Sequence, residues 1–129
     1  MGTSSLLDSN IAIYLIKGGL DYEVEQKLRY ATLLGLNLSI ITKIELLGFA
    51  FPTSEVQDKT ERFISKSTIL PLDDEIVEKT IELRRIYKIK LPDALIAATA
   101  IVFDMTLISR NDKDFTQIPE LKYVNPFTV

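Results

Sequence analysis

The chain has 129 residues, a net charge of −3 and neither cysteine nor histidine, which suits one domain spanning residues 1–129. Without these two residue types it has no thiolate nucleophile, zinc-finger ligand, imidazole base or serine–histidine pair. The net negative charge provides no global basic field, so any contact with nucleic acid must come from a local patch.

Predicted strands and helices alternate along the chain, with glycine or proline at several boundaries. In chain order, we predict a strand at 5–7, helices at 9–17 and 22–34, a strand at 37–41, helices at 42–51 and 55–65, a strand at 68–72, a helix from 73 or 74 to 87, a helix at 92–103, and strands at 105–109 and 123–125. Strands separated by helices indicate an α/β fold whose parallel sheet is covered on both faces.

Two of the predicted helices are amphipathic, and one is almost entirely apolar. The residues expected to point inward are Val24, Leu28, Ala31 and Leu34 in the first, and Ile76, Leu83, Ile86 and Tyr87 in the second. The apolar run 94–103 is too short to cross a bilayer and predicts a buried helix. The N-terminus lacks the features of a signal peptide, and the absence of cysteine is compatible with the cytosol, so we expect a cytoplasmic protein.

Acidic residues recur where a predicted strand ends or a helix begins. Asp8 follows the first strand, Glu45 follows the second, and Asp93 is the only charge in 91–103. Asp112 and Asp114 follow the strand at 105–109. Because strand-to-helix turns meet at the carboxyl edge of a parallel sheet, all these acids could face one cleft.

Clustered carboxylates repel one another, and each uncompensated charge in a partly dry cleft costs several kcal/mol, as an order of magnitude. A divalent cation would relieve this repulsion, and oxygen ligands favour Mg²⁺ or Mn²⁺. Such an ion can activate water and neutralise charge on a phosphate. The pattern therefore indicates metal-assisted phosphate chemistry, which requires neither histidine nor cysteine.

Each acid also has a purely structural interpretation. Asp8 could cap the helix that follows it, because aspartate is a preferred cap. The segment 42–45 fits the capping-box pattern, with Glu45 at the third helical position. Asp93 could complement a helix dipole, and Asp112 and Asp114 could lie in a solvated loop. The functional interpretation therefore depends on the coincidence of all these positions.

Four segments, in this order, resemble the motifs of PIN domains, and of VapC-like toxins in particular. They are LLDSN at 6–10, SIITKIEL at 39–46, LPDALIAATA at 91–100 and LISRNDKDF at 107–115. The ending, with IPEL at 118–121 and NP at 125–126, is also similar to this group. The resemblance covers nearly the whole chain and implies a three-layer α/β/α sandwich with a central, mostly parallel sheet.

The resemblance also implies the site and its activity. Mg²⁺ or Mn²⁺ would be held by Asp8, Glu45, Asp93 and an acid of the last motif, for which we favour Asp114. The family often has Asp where this chain has Asn111, so Asp112 stays open as a substitute. Ser109 matches a hydroxyl position that orients the acids, and Asn10 matches a polar position behind them. The implied protein is a ribonuclease toxin that forms homodimers and is blocked by a cognate antitoxin.

Binding of RNA requires phosphate contacts from lysine and arginine. Basic residues near the acids suggest Lys43, Lys90 and Arg110 for this role, whereas Arg84 and Arg85 fit ordinary surface positions on a helix. We expect the aromatic side chains of Tyr14, Phe51 and Tyr87 to pack in the core or a dimer interface.

Other functional classes fit less well. An aspartyl-phosphate phosphatase usually has a second Asp two positions after the nucleophile, where this chain has Asn10. A receiver domain would show an acidic pair at the end of its first strand, and a nucleotide-binding fold would show a glycine fingerprint. The remaining alternative is a catalytically inactive PIN-fold module that binds RNA or a protein partner.

Overall fold

The computed structural model describes residues 4–48 and 50–128. In this part of the chain, five short strands form one sheet: β1 (Ser5–Leu7), β2 (Asn37–Ser39), β3 (Thr68–Leu70), β4 (Thr106–Ile108) and β5 (Tyr123–Val124). The strand order is β3-β2-β1-β4-β5, and all neighbours are parallel. The chain runs outward from β1 to β3 and then crosses to β4 on the other side. In open α/β sheets, such a reversal opens a crevice at the carboxyl ends of the strands.

Seven helices connect or follow these strands in the described ranges. They are α1 (Ser9–Lys17), α2 (Tyr22–Ala31), α3 (Ile40–Leu47), α4 (Ser54–Ser65), α5 (Asp74–Ile86), α6 (Leu91–Val102) and α7 (Asp112–Phe115). Polar side chains before the first turn determine where several helices begin: Asp8 accepts from Ser9 N, and Asp73 accepts from Ile76 N. Gly18 ends α1 with a positive φ of 77°, a conformation that favours glycine.

The two faces of the sheet carry separate hydrophobic cores, because successive side chains of a strand point to opposite faces. Leu6 and Leu107 pack with the buried residues of α5 and α6. Leu7 and Ile108 pack on the other face with buried residues of α1, α2, α3 and α4. Helices therefore cover both faces of a parallel sheet, and the predicted three-layer α/β/α fold is confirmed.

The apolar run predicted to form a buried helix is α6. Four of its alanines are fully buried: Ala94, Ala97, Ala98 and Ala100. Pro92 lies in the first turn, where its missing N–H has no helical partner to lose. No helix in residues 4–48 and 50–128 is long and apolar enough to cross a membrane.

Several predicted boundaries are wrong by a few residues. β2 ends at Ser39 and not at 41, because the Ser39 hydroxyl accepts from Ile41 N and starts α3 at Ile40. α3 ends at Leu47, short of the predicted 51; within that stretch, Phe49 lies outside the described residues. β3 stops before Pro71, which cannot donate to the next strand.

Most of the predicted inward positions are correct, with two exceptions. Leu28, Ile76 and Leu83 are buried. Leu34 is 59% exposed because α2 ends at Ala31, before this residue can join its apolar face. Ile86, the last residue of α5, is 63% exposed.

Candidate metal centre

Asp8 lies at the carboxyl end of β1, beside the end of β4. Its backbone N–H donates to Ile108 O at 3.0 Å, and the residue is only 6% exposed. Its Oδ1 accepts from Ser9 N at 2.8 Å, so the predicted capping role is confirmed. Its Oδ2 accepts from Ser109 Oγ at 2.7 Å. Burial raises the pKa of Asp8, and the charge of Glu45 raises it further, while these two hydrogen bonds lower it.

Ser109 joins the first and last predicted motifs. It is fully buried, and its Oγ donates to Asp8 and accepts from Asn111 N at 3.0 Å. Asn10 Nδ2 lies 3.4 Å from Asp8 Oδ2 and 3.5 Å from Ser109 Oγ. The buried Asn10 Oδ1 has no hydrogen-bond partner in the described chain. Of the three predicted polar residues, Ser109 and Asn10 therefore lie beside Asp8, and Asn111 contacts Ser109.

Glu45 lies in the second turn of α3, so the capping-box interpretation is wrong. The cap is Ser39, and Thr42 is fully buried inside the helix. The Glu45 side chain instead accepts a hydrogen bond from Ser9 Oγ at 2.5 Å. Ser9 Oγ also lies 3.4 Å from Thr42 Oγ1. Ser9 therefore links the start of α1 to α3 across the site, a contact that the sequence did not indicate.

Asp93 lies in the first turn of α6 and is half-buried. The pKa of Asp93 is raised to about 6. Burial is the largest cause, and a hydrogen bond with Asp114 and the charges of Asp8, Asp114 and Glu45 raise it further. One carboxyl group is thus perturbed by the three others that the sequence singled out. We refer to Asp8, Glu45, Asp93 and Asp114 as the acidic cluster.

The two acids of α7 point in different directions. Asp114 accepts from Asn111 Nδ2 at 2.8 Å and belongs to the acidic cluster. The exposed Asp112 accepts from Tyr123 OH at 2.6 Å and from Asn125 Nδ2 at 3.1 Å. These hydrogen bonds lower the pKa of Asp112. Asp112 therefore attaches α7 to the chain around β5, whereas Asp114 faces Asp93.

The chemistry of the acidic cluster suits a divalent cation. Carboxylate oxygens are the ligands that Mg²⁺ and Mn²⁺ prefer. None of the ion pairs among the described residues involves these four acids. As they stand, however, no three acids of the described chain form a group that could hold a metal ion. Three of the carboxylates accept hydrogen bonds from neighbouring side chains: Asp8 from Ser109, Glu45 from Ser9, and Asp114 from Asn111.

The three basic residues predicted to contact RNA lie on different elements. Lys43 is half-buried on α3, and Lys90 is exposed just before α6. Arg110 is exposed directly after Ser109, and its Nη1 donates to Tyr14 OH at 2.6 Å. Its Cζ lies 4.1 Å from the centroid of the Phe127 ring. Sequence reasoning missed Phe127, because only the fold brings the C-terminal segment to α1.

The aromatic predictions have mixed outcomes. Tyr87 packs against the core on the α5 and α6 side of the sheet. Phe51 is half-buried. The ring centroids of Tyr14 and Phe127 are 5.1 Å apart. Tyr14 thus packs beside the exposed Arg110 and not in the hydrophobic core. Tyr123, predicted only as part of an edge strand, donates to Asp112 in the last motif.

The fold and the acidic cluster define a class, a parallel α/β/α domain with carboxylates gathered at the carboxyl edge of its sheet. Residues 5–121 match the family description of the PIN domain. The chain belongs to the PIN domain family, which confirms the resemblance noted in the sequence. A comparison with curated protein sequences found no match.

Solved structures agree with this assignment. A toxin–antitoxin complex from Klebsiella pneumoniae contains a chain that is 36% identical, with 98% of this chain and 100% of that chain covered and a TM-score of 0.80. VapBC2 from Rickettsia felis, bound to a DNA fragment from its promoter, is 27% identical, with coverage of 94% and 97% and a TM-score of 0.80. DNA-bound VapBC from Salmonella typhimurium is 21% identical, with coverage of 96% and 98%; its TM-score of 0.83 shows the shared fold.

Proposed function

We propose that this protein is a metal-dependent endoribonuclease that hydrolyses RNA phosphodiester bonds and acts as the toxin of a toxin–antitoxin pair. The observation that carries the proposal is the environment of Asp93, whose pKa is raised by burial, by a hydrogen bond with Asp114 and by the charges of Asp8, Asp114 and Glu45. Membership of the PIN domain family supports it, since the VapC-like proteins of this family are generally nucleases. The similarity to toxin–antitoxin complexes supports the toxin role.

In this proposal, the acidic cluster holds Mg²⁺ or Mn²⁺. When bound, such an ion activates water and neutralises the charge that develops on the phosphate. The other residues orient the acids: Ser109 holds Asp8, Ser9 holds Glu45, and Asn111 holds Asp114. Asp112, which is occupied by Tyr123 and Asn125, is the less suitable fourth acid.

Substrate and partner assignments follow the same reasoning. Lys43 and Lys90 lie close in sequence to acids of the cluster, and Arg110 follows Ser109, so we assign all three to RNA phosphates. We propose that the protein forms a homodimer, binds a cognate antitoxin and acts in the cytoplasm. Light scattering after size-exclusion chromatography tests the dimer.

The test compares wild type, Asp93→Asn and the matched control Asp58→Asn, which changes an exposed acid whose charge does not act on Asp93. Each purified protein is incubated with total RNA in Mg²⁺, in Mn²⁺ and in EDTA. We expect discrete fragments from the wild type and the control with either metal, and none in EDTA or from Asp93→Asn. Equal cleavage by Asp93→Asn would contradict the assignment of the site.

A catalytically inactive binding module for RNA or a protein partner is the second candidate. It is favoured by the absence, in the described chain, of three acids already grouped to hold a metal. The two functions differ in their response to metal. An inactive module would show neither cleavage nor a rise in unfolding temperature on addition of Mg²⁺ or Mn²⁺, whereas a nuclease would show both.

A further inference from the structure

Arg110 is held in a defined orientation although it is exposed. Its Nη1 donates to Tyr14 OH at 2.6 Å, and its Cζ lies 4.1 Å from the Phe127 centroid and 5.6 Å from the Tyr14 centroid. The two rings contact each other at 5.1 Å with an interplanar angle of 48°. We call these three residues the arginine–aromatic cluster.

The Arg110 guanidinium is held in place but has no acidic partner among the described residues. None of the ion pairs within residues 4–48 and 50–128 includes Arg110, so its charge is not neutralised there. Arginine has five N–H donors, and the only hydrogen bond of its side chain in the described residues is the one to Tyr14. Ordering a long side chain costs conformational entropy, which a ligand would otherwise have to offset on binding.

The position of the arginine–aromatic cluster relates it to the acidic cluster. Arg110 lies between Ser109, which donates to Asp8, and Asn111, which donates to Asp114. Tyr14 follows Asp8 by six residues on α1, which is about 9 Å along the helix at the usual rise. The arginine–aromatic cluster therefore begins within the last motif and meets α1 about nine ångströms, at the usual rise, from the first acid.

We propose that the arginine–aromatic cluster binds the RNA phosphate next to the one that is cleaved. Arg110 is the binding residue, and Tyr14 and Phe127 are positioning residues that fix the plane of its guanidinium. The planar group can donate two parallel hydrogen bonds to a phosphate, which a lysine cannot do. This inference rests on the proposed ribonuclease function and identifies how the substrate strand is held beside the site.

The experiment measures binding without cleavage, using Asp93→Asn protein and a short fluorescein-labelled single-stranded RNA of random sequence. Fluorescence anisotropy over a range of salt concentrations gives the affinity and its salt dependence. Adding Arg110→Ala should weaken binding about fivefold and reduce the slope of log K against log salt by about 0.7. The control Lys122→Ala also removes one positive charge. Lys122 directly precedes β5 and so lies at the amino ends of the strands, away from the acids, and its removal should have a smaller effect.

Two further variants separate charge from orientation. Arg110→Lys and Phe127→Leu both keep the positive charge, so the salt slope should be retained while the affinity falls. Because Phe127 acts through Arg110, adding Phe127→Leu to Arg110→Ala should cause no further loss. A thermal unfolding midpoint for each variant establishes that the protein is folded.

The inference is overturned if Arg110→Ala weakens RNA binding no more than Lys122→Ala does. In that case, the anion is better assigned to a carboxylate of a protein partner. Full additivity of Phe127→Leu and Arg110→Ala would refute the positioning role. Failure of the proposed function is distinguishable, because the protein with Asp93 intact would then not cleave RNA in the separate assay. If it cleaves RNA and Arg110→Ala leaves KM unchanged, only the inference fails.

Discussion

Replacing Asp93 with asparagine should stabilise the metal-free protein while it abolishes RNA cleavage. The pKa of Asp93 is raised from 3.8 to about 6, first by burial and then by Asp114, Asp8 and Glu45. A change of this size corresponds to about 3 kcal/mol of penalty on the charged form. Because Asp93 is only half-buried, solvent screening reduces the expected gain in unfolding free energy to about 1 kcal/mol. This is about 4 °C in the unfolding midpoint of a domain of this size.

The pH dependence of this gain has a definite sign. An acid whose pKa is raised by folding binds its proton more tightly in the folded state, so ionisation destabilises the fold. Below pH 3.8, Asp93 is protonated in both states and the substitution should have little effect. Above about pH 6, the full penalty is present in the wild type. The stabilisation should therefore appear between these two values as the pH rises.

Thermal unfolding in EDTA at several pH values measures the effect, with Asp58→Asn as the control for loss of a surface charge. Adding Mg²⁺ or Mn²⁺ should raise the midpoint of the wild type, since a ligand of the native state stabilises it. The metal should not raise the midpoint of Asp93→Asn. A metal-free Asp93→Asn protein less stable than the wild type at pH 8, or an equal gain at low and high pH, would refute the reasoning.

Three further predictions concern the residues around the acids. Ser109→Ala removes the hydrogen bond that orients Asp8 and should lower the unfolding free energy by about 1–3 kcal/mol in denaturant titrations. The same variant should weaken metal binding about 10–100-fold by calorimetry; unchanged affinity would show that Asp8 needs no such support. Asp114→Asn should abolish cleavage, whereas Asp112→Asn should retain most of it, and the reverse result would exchange their roles. Ser9→Ala should lower cleavage modestly, and rescue by Ser9→Thr would identify the hydroxyl as the active feature.

Local patterns were sufficient to predict the alternation of strands and helices and to single out the acids that lie near strand ends or helix starts. The short segment Ser5–Leu7, with two leucines, followed by the capping residue Asp8 predicts β1 and the start of α1, because helix capping is a local interaction. The nearly all-apolar segment of α6 predicts burial by composition alone. The acids at strand ends follow from the same reasoning, since parallel strands bring their carboxyl ends to one edge.

Only the tertiary structure decided which of these residues touch. Ser9 meets Glu45, and Tyr14 meets Phe127, across large separations in sequence that no local pattern encodes. Asp112 and Asp114 are two residues apart with the same chemistry, yet one faces β5 and the other faces Asp93. The physical reason is that side-chain direction on α7, and the pairing of β5 with β4, exist only after the sheet has formed.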